Sequence, residues 1–213
     1  MSRGRRDLFT VGLTGGIGAG KSTALALFGA LGALTFSADE VVHGLYREET
    51  CKKALLQEFG PAVLTTTGEV DRRRLAQLVR GRPDRLRWLE GLTHPLVHER
   101  LERFIASAPS GSVVVCEIPL LFEAGYGGMF DLIVTIEASP SVRRQRSVHG
   151  FGLDQFEEFE GLQATAERRR AGSDVVFVND GSRAELEKFV KEVYALAQKQ
   201  LAERAAPREG DVL

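Results

Sequence analysis

Residues Leu13-Thr14-Gly15-Gly16-Ile17-Gly18-Ala19-Gly20-Lys21-Ser22-Thr23 form a glycine-rich segment that fits the pattern G-x-x-x-x-G-K-[ST] of a phosphate-binding loop. An apolar run, Phe9 to Leu13, precedes the segment, and apolar residues at helical spacing follow it. A strand, a glycine-rich turn and a helix in this order are the context that the motif requires. The sequence therefore predicts a binding site for a nucleoside triphosphate.

The residue types in this loop suit the binding of phosphate. Glycines lack a Cβ atom, so the backbone is free to curl and to aim its N–H groups at phosphate oxygens. The N-terminus of the following helix adds a partial positive charge. We expect Lys21 to reach the β- and γ-phosphates and the Ser22 hydroxyl to ligate Mg²⁺. The loop residues predicted to bind ATP are Gly16, Ile17, Gly18, Ala19, Gly20, Lys21, Ser22 and Thr23.

Composition narrows the class of protein. A chain of 213 residues with 43% hydrophobic residues suits one domain with a sizeable core. Its formal charge of −1 argues against a protein that binds nucleic acid or a membrane surface. Cys51 and Cys116 lack metal or redox spacing, which predicts buried thiols in a reducing compartment. With no long apolar run, we expect a cytoplasmic protein. We also expect a monomer or small homo-oligomer.

Apolar runs predict five strands that alternate with helices. This alternation indicates an α/β fold, a five-stranded parallel doubly wound sheet with the phosphate loop after its first strand. The predicted strands are Phe9–Thr14, Ala33–Phe36, Val113–Cys116, Leu132–Ile136 and Val175–Val178.

Two helical regions complete the prediction of a single domain over residues 1–213. The first, about 45–110, reads as a helical cap inserted on the sheet. Within it Asp71 is a predicted N-cap, Pro83 a predicted helix start, and His94-Pro95 an interruption of the helical period. The second, about 141–170, reads as a lid. Its predicted hinge is Gly150-Phe151-Gly152, and a helix capped at Asp154 is expected to carry Arg168–Arg170 near its far end.

Other motifs separate the classes of nucleotide-binding protein. A GTPase usually reads guanine through Asn-Lys-x-Asp, but the only asparagine is Asn179, and Asp180 follows it. Motor and helicase ATPases carry a strand that ends in Asp-Glu, whereas the third strand here ends in Cys116-Glu117. Once these two classes are excluded, a kinase that acts on a small molecule is the class that the motifs favour.

Asp39 is the leading candidate for the acid on the acceptor side. It follows the second strand at the carboxyl edge, where doubly wound sheets bind ligands. A carboxylate there would orient an attacking hydroxyl and accept its proton late in phosphoryl transfer. The alternative is an ordinary acidic residue in the first turn of a helix, where it favours the helix dipole.

Further polar residues are candidates with open alternatives. Arginines at 143, 144 and 146 begin the predicted lid, and guanidinium groups there would neutralise charge on the γ-phosphate, although most helical arginines are simply solvated. His94 is a substrate ligand or a structural cap. Glu117 is expected to hold Mg²⁺ through water, and Glu123 to face the cleft.

Together these residues resemble the dephospho-coenzyme A kinase family over about Thr10 to Val193. The phosphate loop is shared by many families, and the later elements are more specific. The matching elements are residues 13–23, Ala38-Asp39, His94-Pro95-Leu96, Ile118-Pro119-Leu120-Leu121-Phe122-Glu123, Gln163, Arg169, Asp174, Asn179 and Gly181.

The resemblance implies a P-loop fold of the nucleoside-monophosphate-kinase type. It also implies an enzyme that transfers the γ-phosphate of ATP to the ribose 3′-hydroxyl of dephospho-coenzyme A. It implies Mg²⁺ as cofactor and Arg144 as a catalytic lid residue. ATP would also contact Asn179, with its adenine between the lid arginines and the loop from Asn179 to Gly181. The helical insertion at about 45–110 would help to form the acceptor-binding cleft. The acceptor side would be lined by Asp39, His94, Leu120 and Glu123.

Three positions depart from the family pattern. Ser37 stands at the first acidic position of Asp-x-Asp, Val148 at the second arginine of the lid, and Phe159 at an arginine that usually precedes Gln163 by four residues. Two other hypotheses therefore stand beside the first. One is a kinase for another small hydroxyl acceptor, and the other is a nucleotide-binding protein whose lid has lost catalytic power.

Overall fold

The computed structural model describes residues 7–148, 160–161 and 163–205, apart from the side chains of residues 147 and 148. Residues Ala38–Phe104 form one compact unit, and the chain on either side of them forms the other. The predicted hinge at Gly150-Phe151-Gly152, the cap at Asp154 and the departure at Phe159 lie outside the described residues. The assignment of the whole chain to one domain stays a prediction.

The unit formed by the two ends of the chain contains a sheet in which every pairing is parallel. Its order is β2-β3-β1-β4-β5, which confirms the predicted doubly wound α/β fold. Each predicted strand is present within one or two residues at either end. The strands are β1 (Leu8–Gly15), β2 (Leu34–Ser37), β3 (Ser112–Glu117), β4 (Leu132–Glu137) and β5 (Val175–Val178).

Helices connect the strands and make up most of the second unit. In chain order they are α1 (Lys21–Ala30), α2 (Ala38–Leu45), α3 (Glu49–Phe59), α4 (Arg72–Val79), α5 (Pro83–Ser107), α6 (Pro140–Val148), α7 (Ala166–Ala171) and α8 (Arg183–Ala205), with 3-10 turns at Pro61–Val63 and Tyr126–Gly128. No helix within the described ranges has both the length and the apolar character needed to cross a bilayer.

Strand β1 is the centre of the sheet, and all eight of its residues are buried. It lies between β3 and β4, so the loop that follows it starts where the strand order reverses. Phe28 of α1 and Val190 of α8 belong to the apolar core that contains Phe9 and Val11 of β1. Packing of this apolar surface fixes the position from which the glycine-rich loop leaves the sheet.

Two helices begin with side-chain caps, and the first of these caps is the one predicted at Asp71. Asp71 Oδ1 accepts a hydrogen bond from the Arg74 N–H at 3.0 Å. At the start of α8, the Glu185 N–H donates to Ser182 Oγ at 3.3 Å and the Ser182 N–H donates to Glu185 Oε2 at 3.1 Å. The second pair is a reciprocal capping box, which satisfies N–H groups that the helix leaves without internal partners.

The prediction that His94-Pro95 interrupts a helix was wrong, because Pro95 lies inside the continuous helix α5. A proline removes one backbone hydrogen bond and crowds the preceding turn, at a cost of about 3 kcal/mol. Thr93, Val97 and Leu101 are spaced by four residues and are all buried. Burial of this common face on both sides of Pro95 offsets the local cost and keeps the helix continuous.

The arginines at 168–170 also lie on a different element from the one predicted. They belong to α7, a short helix of its own. Thr165 caps it, with Thr165 Oγ1 accepting a hydrogen bond from the Arg168 N–H at 3.3 Å. Residues 163–165 are not helical. A side-chain cap so close to the arginines starts a new helix, which the run of polar residues did not reveal.

Both cysteines are buried free thiols, as predicted. Burial raises the pKa of Cys116. Burial also raises the pKa of Cys51, with a smaller contribution from the negative charge of Glu48. Since the thiolate is the reactive form, neither side chain has the character of a nucleophile or metal ligand.

A buried ion pair ties α7 to the end of β4. Arg169 Nε donates to Glu137 Oε1 at 2.6 Å, and Arg169 Nη2 donates to Glu137 Oε2 at 2.9 Å. Arg169 also donates through Nη1 to the carbonyl of Ala164. This two-pronged pair occupies the carboxyl end of the sheet, so Arg169 holds the strand end in place.

We predict that Arg169→Leu lowers the free energy of unfolding by about 3–5 kcal/mol, because it leaves the buried Glu137 carboxylate without its partner. Arg183→Leu is the matched control. It breaks the exposed Arg183–Glu187 pair and is expected to change stability by less than about 1 kcal/mol. Urea denaturation followed by circular dichroism measures both. Equal effects of the two substitutions on the free energy of unfolding would contradict a stabilising role for the buried Arg169–Glu137 pair.

Candidate nucleotide-binding site

The glycine-rich loop contains two positions at which no side chain fits. Gly15 has φ +145°, and a Cβ atom there would lie 1.9 Å from the carbonyl oxygen of Ile136 in β4. Gly20 has φ +104°, and its Cβ atom would lie 2.5 Å from Asn179 Nδ2. The sequence predicted the glycines from the motif, and the structure gives the contacts that require them.

Lys21 is the first residue of α1, and its side chain lies back along the loop. Its ammonium donates to the carbonyl oxygens of Gly15 and Gly16, both at 3.1 Å. The residue is 8% exposed. A lysine held against its own loop is positioned where phosphate oxygens of a nucleotide would meet the loop N–H groups.

Ser22 and Glu117 are brought together from α1 and the end of β3. Ser22 Oγ donates to Glu117 Oε1 at 3.1 Å. Glu117 is 3% exposed, and it pairs in register with Leu13, the last apolar residue before the loop. A hydroxyl beside a buried carboxylate supplies oxygen ligands of the kind that Mg²⁺ prefers.

Ser22 and Glu117 fit the coordination of a Mg²⁺ ion whose other ligands include phosphate oxygens. Mg²⁺ is usually held by one or two carboxylates and by substrate phosphates, and it keeps several waters. In the part of the chain that the structure describes, no group of three or more His, Cys, Asp or Glu side chains could enclose a metal alone. The donor set of Ser22 and Glu117 therefore suits a cation that arrives with a nucleotide.

Two side-chain amides from later in the chain bind backbone groups in the middle of the loop. Gln163 Oε1 accepts a hydrogen bond from the Ile17 N–H at 2.9 Å. Asn179 Nδ2 donates to the Ala19 carbonyl at 2.8 Å, and Asn179 is 5% exposed. The sequence reading gave Asn179 a contact with ATP and gave Gln163 no role. No local pattern marks an amide whose partner lies more than a hundred residues away.

Helix α6 presents its arginines in different directions. Arg143 is buried, donates from Nε to the Ala138 carbonyl at 3.1 Å and forms an ion pair with Glu160. A Cβ atom on Gly16 would lie 3.1 Å from Arg143 Cδ, so Arg143 packs on the loop. Arg146 Nη1 donates to the Asn179 carbonyl at 2.9 Å. Arg144 is exposed, and its catalytic role stays a prediction.

A cavity of about 260 Å³ adjoins the C-terminal half of the loop. Its walls come from the loop and α1, from α6, and from the chain between β5 and α8. The lining residues are Gly20, Thr23, Arg146, Asn179, Gly181, Arg183 and Leu186. The family resemblance predicts adenine between the lid arginines and the loop from Asn179 to Gly181. The cavity adjoins Asn179 and Gly181, and its occupation by adenine stays a prediction.

The predicted acceptor residues fall in both units. Leu120 is half-buried after β3, and Glu123 accepts a hydrogen bond from the Ala164 N–H. Asp39 is exposed in the first turn of α2, and His94 is half-buried in α5. Their shared role in binding an acceptor stays a prediction.

Electrostatics around Asp39 involve two neighbours in its own unit. Burial lowers the pKa of His43, the positive charge of Arg72 lowers it further, and the Asp39 carboxylate opposes the change. Burial raises the pKa of Tyr46 to about 12, and the Asp39 carboxylate is a smaller cause. Near neutral pH the His43 imidazole and the Tyr46 phenol are therefore both neutral.

The parallel sheet, the glycine-rich loop after its central strand, and the Lys21, Ser22 and Glu117 side chains define a P-loop kinase. A family profile for dephospho-CoA kinase matches residues 9–185. The chain belongs to the dephospho-CoA kinase family.

Comparison with individual proteins supports this family membership. A dephospho-CoA kinase of Thermobifida fusca is 34% identical over 92% of this chain and all of its own length. One from Burkholderia thailandensis is 37% identical over 93% of this chain and 98% of its own. A crystal structure from Thermus thermophilus superposes with a TM-score of 0.75 at 33% identity, covering 88% of this chain and 97% of that one.

We predict that Gly20→Ala weakens ATP binding at least about tenfold, because alanine at positive φ is strained by about 1–2 kcal/mol and its methyl group meets Asn179. Gly29→Ala in α1 is the matched control, since its Cβ atom would make only an ordinary 3.5 Å contact with Thr35. Isothermal titration calorimetry with ATP measures both. Unchanged affinity of the Gly20 variant would show that the loop tolerates a side chain.

Proposed function

We propose that this chain transfers the γ-phosphate of ATP to the ribose 3′-hydroxyl of dephospho-coenzyme A, giving coenzyme A and ADP, the last step of coenzyme A synthesis. The single observation that carries the proposal is the family match over residues 9–185, which includes the loop with the buried Lys21 and Ser22–Glu117 arrangement. The cytoplasmic location, the absence of nucleic-acid and membrane partners, and the oligomeric state stay predictions.

On the nucleotide side, N–H groups of the loop between Gly16 and Thr23 bind the phosphate oxygens, apart from those of Ile17 and Ala19, which donate to acceptors within the protein. Lys21 leaves its two carbonyl partners and pairs with the β- and γ-phosphates. The adenine occupies the cavity beside Asn179, where Arg146 and Gly181 form part of the wall. A cavity that is continuous with the loop residue Gly20 supports this assignment, because base and phosphates of one nucleotide must lie within a short distance.

The cation would be held by Ser22 directly and by Glu117 through water. Its chemistry is to neutralise charge on the β- and γ-phosphates as the bond between them breaks. The Ser22–Glu117 hydrogen bond supports this role, because it holds both oxygen ligands side by side before nucleotide binds. Glu117 is also rigid, as part of a fully buried strand end.

On the acceptor side, Asp39 orients the 3′-hydroxyl. The hydroxyl oxygen forms a bond to the γ-phosphorus while the bond from that phosphorus to the bridging β–γ oxygen breaks, and ADP departs with that oxygen. The hydroxyl proton passes to the Asp39 carboxylate. Chain connectivity supports this role: Ser37 pairs with Glu117 in the sheet, and Asp39 follows Ser37 by two residues.

Helix α6 supplies positive charge on the nucleotide side. We assign the charge-neutralising role to Arg144, the residue of α6 that the family pattern indicates. Arg143 supports Gly16 of the loop from the same helix. His94, Leu120 and Glu123 complete the acceptor side in this proposal.

The proposal predicts ATP- and Mg²⁺-dependent turnover of dephospho-coenzyme A in an ADP-release assay. Lys21→Ala is expected to lower kcat by about 100- to 1,000-fold, because it removes a positive charge from the phosphates. Lys199→Ala on the exposed face of α8 is the control. Turnover of a nucleoside or of shikimate in preference to dephospho-coenzyme A would identify a kinase for a different acceptor. ATP binding without transfer to any acceptor would indicate a nucleotide-binding protein.

Asp39→Asn tests the acceptor role. We expect kcat to fall by about 100-fold or more, the size of a lost general base, while ATP affinity is unchanged. Asp84→Asn is the matched control, because Asp84 is likewise an acidic residue in the first turn of a helix. Near-wild-type turnover of Asp39→Asn would leave Asp39 with only a helix-dipole role.

Glu117→Gln tests the cation site. The amide keeps the shape and still accepts the Ser22 hydrogen bond, but it removes the charge that attracts Mg²⁺. We expect the Mg²⁺ concentration for half-maximal activity to rise about tenfold, as for a weakened metal ligand. Glu187→Gln in α8 is the control. An unchanged Mg²⁺ dependence would remove Glu117 from the metal site.

A further inference from the structure

Gln163 makes hydrogen bonds with two separate segments around the nucleotide site. Its Oε1 accepts from the Ile17 N–H at 2.9 Å. Its Nε2 lies 3.3 Å from the Gly15 carbonyl and 3.3 Å from the Pro119 carbonyl, and donates to both. One amide therefore joins the start of the loop to the segment that follows β3.

The Gly15 carbonyl receives two donors in this structure. Lys21 Nζ donates to it at 3.1 Å, and Gln163 Nε2 donates to it at 3.3 Å. Gly15 is buried, so its carbonyl has no ready access to water. If Lys21 were its sole donor, movement of the ammonium to a phosphate would leave a buried acceptor unsatisfied, which opposes that movement.

We propose that Gln163 is a positioning residue that frees Lys21 for the nucleotide. Its amide keeps the Gly15 carbonyl satisfied and holds the Ile17 N–H while Lys21 exchanges carbonyl oxygens for phosphate oxygens. This inference rests on the proposed function, because it takes the incoming ligand to be a nucleoside triphosphate.

The polarity of the amide is central to this role. A side chain at this place must accept from one N–H and donate to two carbonyls, and among uncharged side chains of this length glutamine does both. A glutamate would still accept from Ile17, but when ionised it has no proton to donate to Gly15 or Pro119. Its charge would also attract the Lys21 ammonium and keep it in the loop.

Two variants separate the hydrogen bonds from the shape of the side chain. Gln163→Leu keeps similar bulk without polar atoms, and Gln163→Glu keeps the shape with an inverted pattern of donors. We expect the Kd for ATP to rise about tenfold in Gln163→Leu, the effect of a buried acceptor that loses its donor. We expect a larger rise in Gln163→Glu. The KM for dephospho-coenzyme A should change less than twofold in both.

Gln198→Leu is the control, because Gln198 is an exposed glutamine in α8. Isothermal titration calorimetry gives the Kd for ATP without relying on turnover, and thermal unfolding reports whether each variant is folded. If wild-type protein does not bind ATP, the proposed function itself is wrong.

If wild-type protein binds ATP and folded Gln163→Leu binds it within twofold of the same Kd, the positioning role is wrong. Equal rises in the Kd for ATP and the KM for the acceptor would also overturn it, since they indicate general damage. Failure of both variants to fold would make Gln163 a purely structural residue, and this result too would contradict the proposal.

Discussion

The nucleotide site depends on the close approach of the backbone at Gly15 to strand β4. The distance from its missing Cβ position to the Ile136 carbonyl is 1.9 Å, so any side chain would push β1 and β4 apart. Because β1 lies between β3 and β4, this contact sets the point at which the chain turns from strand to loop. The position of Lys21, Ser22 and the first turn of α1 follows from that turn.

The loop is supported by long-range contacts as well as by its own hydrogen bonds. Asn179 follows β5, Gln163 precedes α7, and Arg143 lies on α6, and each contacts a different loop residue. Polar side chains that act on backbone groups in this way reduce the freedom that a glycine-rich segment would otherwise keep. A loop that is ordered before binding does not lose that freedom when phosphate arrives.

Much of the fold was predictable from the sequence, because buried parallel strands leave continuous apolar runs such as Val113–Cys116. The Asp71 cap was also predictable, since its partner lies three residues away. The predicted interruption at Pro95 was wrong because the local rule considers only the proline itself. The burial of Thr93, Val97 and Leu101, which keeps the helix continuous, depends on tertiary packing. The strand order β2-β3-β1-β4-β5 required the structure, since apolar runs do not reveal their neighbours.

The residues of the site also fall into two groups, those that local sequence predicts and those whose contacts only the structure shows. The motif predicted Lys21 and Ser22, and the strand end predicted Glu117, because each carries its chemistry in its own local sequence. The direction of each arginine on α6 depends on the rotation of the helix against the loop. For that reason the packing of Arg143 on Gly16 and the bond from Arg146 to Asn179 came only from the structure. Gln163 likewise acquires a role only through partners that are distant in sequence.

Crystal structures of the same protein without nucleotide and with bound ATP analogue and Mg²⁺ give the most direct measurement of the central claim. We predict that the backbone of residues 15–22 superposes within about 1 Å, as in preorganised sites, while Lys21 Nζ moves from the Gly15 and Gly16 carbonyls to phosphate. A loop that refolds by more than about 2 Å on binding would contradict a site organised in advance by its glycine contacts.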